Sequence, residues 1–222
     1  MKNYLVLSLK EWNWDNFDRY FGDKNNWYLV KSLEQLRLLA ARLNPRYIFV
    51  PHWSEMLPKD IYGNYECVVF HMTDLPYGRG GSPLQNLIEQ GHKTTWLSSF
   101  RVTGKLDAGD IYSKVWFSLD GKAEDIFKDC SNLCFKMMET IAAYELEPTP
   151  QAGKPTYFMR RTPDMSRLPD VDDVNKLYDH IRMLDAPTYP KAFLDWNEWR
   201  LEFTDVSLGD GLNAKVRFIK DE

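Results

Sequence analysis

Two short runs without a single polar residue, Tyr47-Ile48-Phe49-Val50 and Cys67-Val68-Val69-Phe70, constrain this chain most. A strand with one wetted face alternates polar and apolar residues. A run that is apolar at every position belongs to a strand covered on both faces, as in parallel sheets flanked by helices. The connection between Val50 and the strand candidate Glu66–Phe70 is close to the minimum length of a parallel crossover, roughly a dozen residues. Tyr4–Leu9 and Trp27–Val30 are further strand candidates. Ser32-Leu33-Glu34-Gln35 reads as a capping box opening a helix that runs to Asn44, before Pro45. Strand and helix patterns in alternation predict an α/β domain with a mostly parallel sheet.

The second half carries strand candidates at Leu97–Val102 and Ile111–Ser118, then a long helical pattern over Ala123–Leu146. Its stripe of Ile126, Cys130, Cys134, Met137, Met138 and Ile141 predicts a core-facing side. Pro148, Pro150, Gly153 and Pro155 mark a linker. Beyond it come a helix candidate, Asp172–Leu184, and two alternating segments. Trp199, Leu201 and Phe203 form one, and Ala214, Val216 and Phe218 the other. With Gly209-Asp210-Gly211 between, they predict a half-buried hairpin. The expected organisation is therefore a domain over 1–150 and a small α+β appendage over 151–222, consistent with 222 residues in all.

Composition excludes several classes. Hydrophobic residues at 44% and charged residues at 27% support a packed core and argue against disorder. No apolar run approaches the roughly 20 residues of a membrane span. Lys and Arg number 28 against 32 Asp and Glu, a net charge of −4, which weighs against a nucleic-acid binder. Residues 1–10 lack the apolar region and cleavage site of a signal peptide, so a cytoplasmic location is expected. The three cysteines cannot all pair, no Cys-x-x-Cys occurs and the four histidines are scattered, so no metal is expected. Aromatics at 14%, with eight Trp, suggest a lined pocket or a flat binding surface.

His52 follows one apolar strand and His71 the next. Ligands of open α/β sheets bind outside the carboxyl ends of the strands, so both imidazoles can line one crevice; packing in the core is the competing reading. Asp107 and Asp110 lie in Gly104-Lys105-Leu106-Asp107-Ala108-Gly109-Asp110, where a carboxylate can orient an imidazole or take a proton, or simply make a turn. Tyr77-Gly78-Arg79-Gly80-Gly81 leads into Ser82-Pro83-Leu84-Gln85, a second capping-box pattern. A glycine loop feeding a helix N-terminus suits an anion or a carbonyl, yet its spacing matches neither a dinucleotide nor a P-loop signature. Lys154, Arg160, Arg161 and Arg167 form a locally basic stretch, able to hold a diphosphate or to remain a solvated linker.

Taken together, His71-Met72-Thr73-Asp74-Leu75-Pro76, Arg79-Gly80-Gly81-Ser82-Pro83-Leu84-Gln85 and Leu106-Asp107-Ala108-Gly109-Asp110-Ile111 resemble the folate-dependent formyltransferases. That family includes methionyl-tRNA formyltransferases and the nucleotide-sugar N-formyltransferases. Its pattern is a His with a Pro five residues on, then Arg-Gly-small-small-Pro, then Leu-Asp-x-Gly-Asp, all present here in order. The resemblance implies a Rossmann-like catalytic domain that moves a formyl group from 10-formyltetrahydrofolate to a primary amine without a metal. It implies catalytic roles for His71, which would stabilise the oxyanion, and Asp107, which would orient the imidazole or help remove the amine's proton. It also implies folate contacts from Leu75, Pro76, Gly80, Gly81, Ser82, Gln85, Leu106 and Asp107. The family usually has Asn two residues before the His, where this chain has Val69. Valine cannot donate to an oxyanion, and His52 is the candidate replacement.

The acidic balance and short tail favour a nucleotide-linked amino sugar over tRNA. Arg161-Thr162-Pro163-Asp164-Met165-Ser166 and Ile181-Arg182-Met183-Leu184-Asp185-Ala186 resemble sugar N-formyltransferases, nearest to those associated with pseudaminic-acid-type sugars. On that reading Arg79, Arg160 and Arg161 bind the sugar nucleotide, no nucleic acid or membrane is a partner, and a homo-oligomer remains open. The alternatives are a methionyl-tRNA formyltransferase-like enzyme on another amine, a non-catalytic folate-binding relative, and a hydrolase releasing formate from the same folate.

Overall fold

The computed structural model describes residues 2–53, 55–187 and 189–220. The elements run β1 (Tyr4–Leu7), α1 (Glu11–Phe21), β2 (Trp27–Val30), α2 (Leu33–Leu43), β3 (Tyr47–Val50), α3 (Lys59–Tyr62), β4 (Cys67–His71), β5 (Arg79–Gly80) and α4 (Pro83–Glu89). They continue with β6 (Thr94–Arg101), β7 (Ile111–Ser118), α5 (Ala123–Tyr144), β8 (Tyr157–Phe158), α6 (Val174–Arg182), β9 (Ala192–Trp196), β10 (Trp199–Leu208) and β11 (Leu212–Lys220). Two compact units emerge. One comprises Met1–Gly80, Thr95–Phe117 and Lys128–Tyr157, the other Gly81–Thr94, Ser118–Phe127 and Phe158–Glu222.

The first unit holds a six-stranded sheet in the order β2-β1-β3-β4-β6-β7. β1 pairs in parallel with β2 and β3, β3 pairs in parallel with β4, and β4 pairs antiparallel with β6. This is the mostly parallel α/β arrangement that the alternating strand and helix patterns predicted, and the Rossmann-like domain that the resemblance implied. Within the apolar runs, side chains still alternate between faces. Register aligns Leu5, Ile48 and Cys67 in one row and Val6, Phe49 and Val68 in the next. One face is aliphatic, where Leu5, Leu7, Ile48 and Val50 pack with Leu36 and Ala40 of α2. The other is aromatic: Phe21 of α1 stacks on Trp27 at 3.6 Å, Trp27 on Phe49 at 5.6 Å, and Phe135 of α5 lies 5.7 Å from Phe21.

Phe21 is 1% exposed at the centre of that aromatic layer. Phe21→Ala is expected to lower unfolding free energy by about 3–5 kcal/mol, the transfer loss plus the cavity left behind. Urea denaturation measures it, and a loss below about 1 kcal/mol would show that this layer is not close-packed.

The Ser32 cap is present, its hydroxyl accepting from the Gln35 N–H at 3.0 Å. α1 has no counterpart in the sequence reading, for an identifiable reason. Lys10 caps it without a side-chain bond, and two of its buried residues are Asn13 and Asn16. These asparagines join Ser8 and Ser131 in a buried hydrogen-bonded chain, with Asn13 donating to Ser8 at 2.7 Å and Asn16 donating to Ser131 at 2.8 Å. A buried face made partly of amides leaves no apolar period to read.

In the second unit β9, β10 and β11 form an antiparallel sheet, and the hairpin turns at residues 209–211 as expected. The strand β9 lacks a counterpart in the sequence reading. The half-burial predicted for the hairpin is met in part: Leu201, Phe203 and Ala214 are half-buried, while Val216 is 43% and Phe218 55% exposed. Among the described residues, no helix is long and apolar enough to cross a membrane.

Candidate active site

The site is built in the first unit, where β4 ends. The His71 ring places Nε2 2.7 Å from the Gly78 carbonyl oxygen. A carbonyl only accepts, so Nε2 carries the hydrogen, and in the neutral ring the lone pair sits on Nδ1. Nδ1 lies 4.0 Å from Oδ2 of Asp107. That separation is too long for a direct hydrogen bond, so imidazole and carboxylate face each other across a gap. Both side chains are largely buried, at 10% and 20% exposure.

Asp107 is held by backbone. Its Oδ2 accepts the Gly80 N–H at 2.8 Å, and Gly80 has a φ of 114°, a conformation rare for any residue with a side chain. Asp107 itself adopts a φ of 45°. Two residues on, a Cβ at Gly109 would stand 1.7 Å from the Arg101 carbonyl oxygen, so the loop lies against the end of β6 closely enough to require glycine.

Beside this pair opens a pocket walled by Val50, Trp53, Leu57, Val69, Phe100 and Val102, with Glu55, Thr103 and Lys105 among its polar lining. Apolar walls with a few polar groups suit a flat ring system with a polar edge. Trp53 and Lys105 were not singled out from the sequence. Trp53 sits at the same strand end as His52, and Lys105 lies inside the loop that carries Asp107. The strand-end position is the sequence signal for Trp53, and the Asp107 loop is the signal for Lys105.

The structure brings His71, Asp107 and Gly80 together, but not His52. His52 follows β3 with a φ of 52° and does not line this pocket. Its ring meets Trp12 edge-on at 6.0 Å, and it lies beside Cys130. Hydrogen bonding from Cys134, and then from His52, draws the Cys130 thiol below its ordinary pKa. The side chain of Val69, at the family's Asn position, does line the pocket.

Other candidates are engaged locally. Leu75 is buried and packs with Phe100 and Ile111, Pro76 lies near Gly153, and Leu106 is exposed. Arg79 donates through Nε and Nη2 to the side-chain oxygen of Gln151, at 3.2 and 2.7 Å. In the second unit, Ser82 does not cap α4 with its side chain; it is left-handed, and its hydroxyl accepts from the Arg161 N–H and meets the Tyr189 hydroxyl. Gln85 is buried and donates to the Met183 carbonyl at 3.0 Å, so the second capping box does not form. Gly81 approaches Arg160 so closely that a Cβ would stand 2.6 Å from its Cβ. Arg160 is exposed, whereas the guanidinium of Arg161 is buried against Glu89, at 2.7 Å, and the Met165 carbonyl at 2.5 Å. Among the described residues, no group of three or more His, Cys, Asp or Glu side chains is placed to hold a metal ion.

Comparison with known proteins decides the family. The chain is 41% identical to a solved structure titled methionyl-tRNA formyltransferase from Clostridium thermocellum, covering all of both chains with a TM-score of 0.95. The chain belongs to the formyltransferase family. Residues 163–219 of this family member also match the methionyl-tRNA formyltransferase C-terminal domain. The methionyl-tRNA formyltransferase of Rickettsia bellii is 26% identical over 184 residues, 80% of this chain and 60% of the relative. The chain thus spans about three-fifths of the length of the curated relatives it matches.

These matches correct the substrate and partner expected from the sequence. A 4-N formyltransferase from Francisella tularensis shares the fold at a TM-score of 0.67 but is only 15% identical. Nucleotide-sugar specificity, and the pseudaminic-acid type within it, therefore lack support, and the expectation of no nucleic-acid partner falls with them. The error has a physical source. Net charge is a property of the whole chain and says nothing of local fields, and a tail read as too short for tRNA work matches the C-terminal domain of that family.

Proposed function

We propose that this chain transfers the formyl group of 10-formyltetrahydrofolate to the amino group of methionyl-tRNA. The observation that carries this reading is the likeness to the Clostridium thermocellum protein along both whole chains. The formyl donor, when bound, supplies an electrophilic formyl carbon. The pocket's apolar walls fit the donor's flat ring, and the polar gap between His71 and Asp107 fits its reacting end.

The residues then divide the work. Gly78 holds Nε2–H of His71, so Nδ1 is the ring atom presented to the gap. As a neutral base Nδ1 accepts a proton from the amine as its nitrogen bonds to the formyl carbon, donates to oxygen while negative charge gathers there, and passes that proton to the folate nitrogen as the bond between that nitrogen and the formyl carbon breaks. The Asp107 carboxylate stabilises that imidazolium and gives the departing proton a second acceptor. Lys105 adds a cation to the pocket lining, while Val69 contributes packing alone. The apolar walls exclude water and strengthen each of these interactions.

The test is to incubate the chain with 10-formyltetrahydrofolate and methionyl-tRNA, release the amino acid and weigh it. Gain of one formyl group supports the proposal. Folate binding without transfer to any amine would instead favour the non-catalytic reading, for which Val69 at the family's Asn position is the supporting observation.

A further inference from the structure

We infer that Gln151 is a positioning residue for Asp107, holding the loop that presents its carboxylate to His71. The inference rests on the proposed formyl transfer for its kinetic consequences and on geometry alone for its structural ones. Gln151 lies in the proline-rich segment after α5, far from the loop in sequence. Its side-chain nitrogen donates to two carbonyls of that loop, Asp107 at 2.9 Å and Gly109 at 2.8 Å. Its side-chain oxygen accepts twice from Arg79. One planar amide thus spends both N–H groups on the loop and its oxygen on a guanidinium anchored one residue before Gly80.

That anchor matters because Gly80 is the residue whose N–H holds Oδ2 of Asp107. Gln151 therefore ties the loop's backbone to the same short segment that grips the carboxylate. The far end of the loop is seated by Gly109 against the Arg101 carbonyl and by the Arg101 N–H, which donates to the Asp110 carbonyl at 2.9 Å. At Asp107 itself, which sits at a positive φ beside an exposed Leu106, Gln151 adds the bond that holds the backbone carbonyl. A carboxylate facing an imidazole across 4.0 Å is sensitive to small displacements, because about 1 Å of misplacement can cost roughly 100-fold in rate.

Only an amide satisfies all four bonds. Glutamate could still accept from Arg79, but its second oxygen would face the Asp107 and Gly109 carbonyls with no hydrogen to give. Gln151→Glu therefore keeps the shape and the Arg79 contact while breaking the grip on the loop, and Gln151→Ala removes both.

The test combines kinetics with amide hydrogen exchange. Both variants are expected to lower kcat by about 10–100-fold, with KM for folate and tRNA within about twofold of the parent. In an Asp107→Asn background, Gln151→Ala is expected to change kcat by less than about twofold, because its effect runs through the lost carboxylate. A full loss retained in that background would overturn the inference. Exchange at the Gly80 amide is expected to quicken about tenfold in Gln151→Glu, and this readout needs no substrate. If the parent protein does not formylate methionyl-tRNA, the functional reading fails while the Gly80 exchange still decides the positioning role. Unchanged exchange in both variants would end it.

Discussion

His71→Ala lowers kcat by about 100–1000-fold. The expectation follows from the ring's fixed orientation. Nε2 is committed to Gly78 at 2.7 Å, so all chemistry at this residue passes through Nδ1, and alanine removes that atom. His71→Gln separates chemistry from architecture: its amide can still donate to the Gly78 carbonyl, but it offers no titratable nitrogen. The glutamine variant is expected to remain folded, keep KM and lose as much kcat as the alanine variant. Steady-state kinetics beside a thermal unfolding curve checks both. Turnover near that of the parent in the glutamine variant would remove His71 from the reaction.

Asp107→Asn is expected to lower kcat by about 100-fold or more. The side-chain oxygen of asparagine still accepts the Gly80 N–H, so the loop keeps its place, yet the amide has no charge and takes no proton. The loss therefore reports the carboxylate and not the fold. Because His71 and Asp107 face the same gap, the double variant should be little worse than either single one, as for groups acting as a unit. Multiplicative losses would mean that the two side chains serve separate steps.

The fold was legible where burial leaves a periodic trace. Runs such as Tyr47–Val50 read as strands covered on both faces, and Ser32 with Gln35 announced the start of α2. α1 left no trace because its buried face includes Asn13 and Asn16, whose partners come from β1's end and from α5. The pairing of His71 with Asp107 was implied by family resemblance; strand-end placement argued only that His52 and His71 share a crevice. The position of His52 was not legible: both histidines end neighbouring strands, but a left-handed backbone at His52 sends its ring to Trp12 and Cys130. Arg161 looked like a phosphate ligand because charge is visible in a sequence and burial is not; its partner Glu89 lies 72 residues away. Gln151 was silent for the same reason, since all its bonds cross long stretches of chain.

The central claim is the acceptor, and competition between acceptors tests it most directly. With 10-formyltetrahydrofolate in excess, kcat/KM is measured for methionyl-tRNA, free methionine and a panel of nucleotide-linked amino sugars. The account predicts formyl-methionine on the tRNA, with kcat/KM at least about 100-fold above every other amine. A nucleotide-linked amino sugar formylated more efficiently than methionyl-tRNA would contradict it.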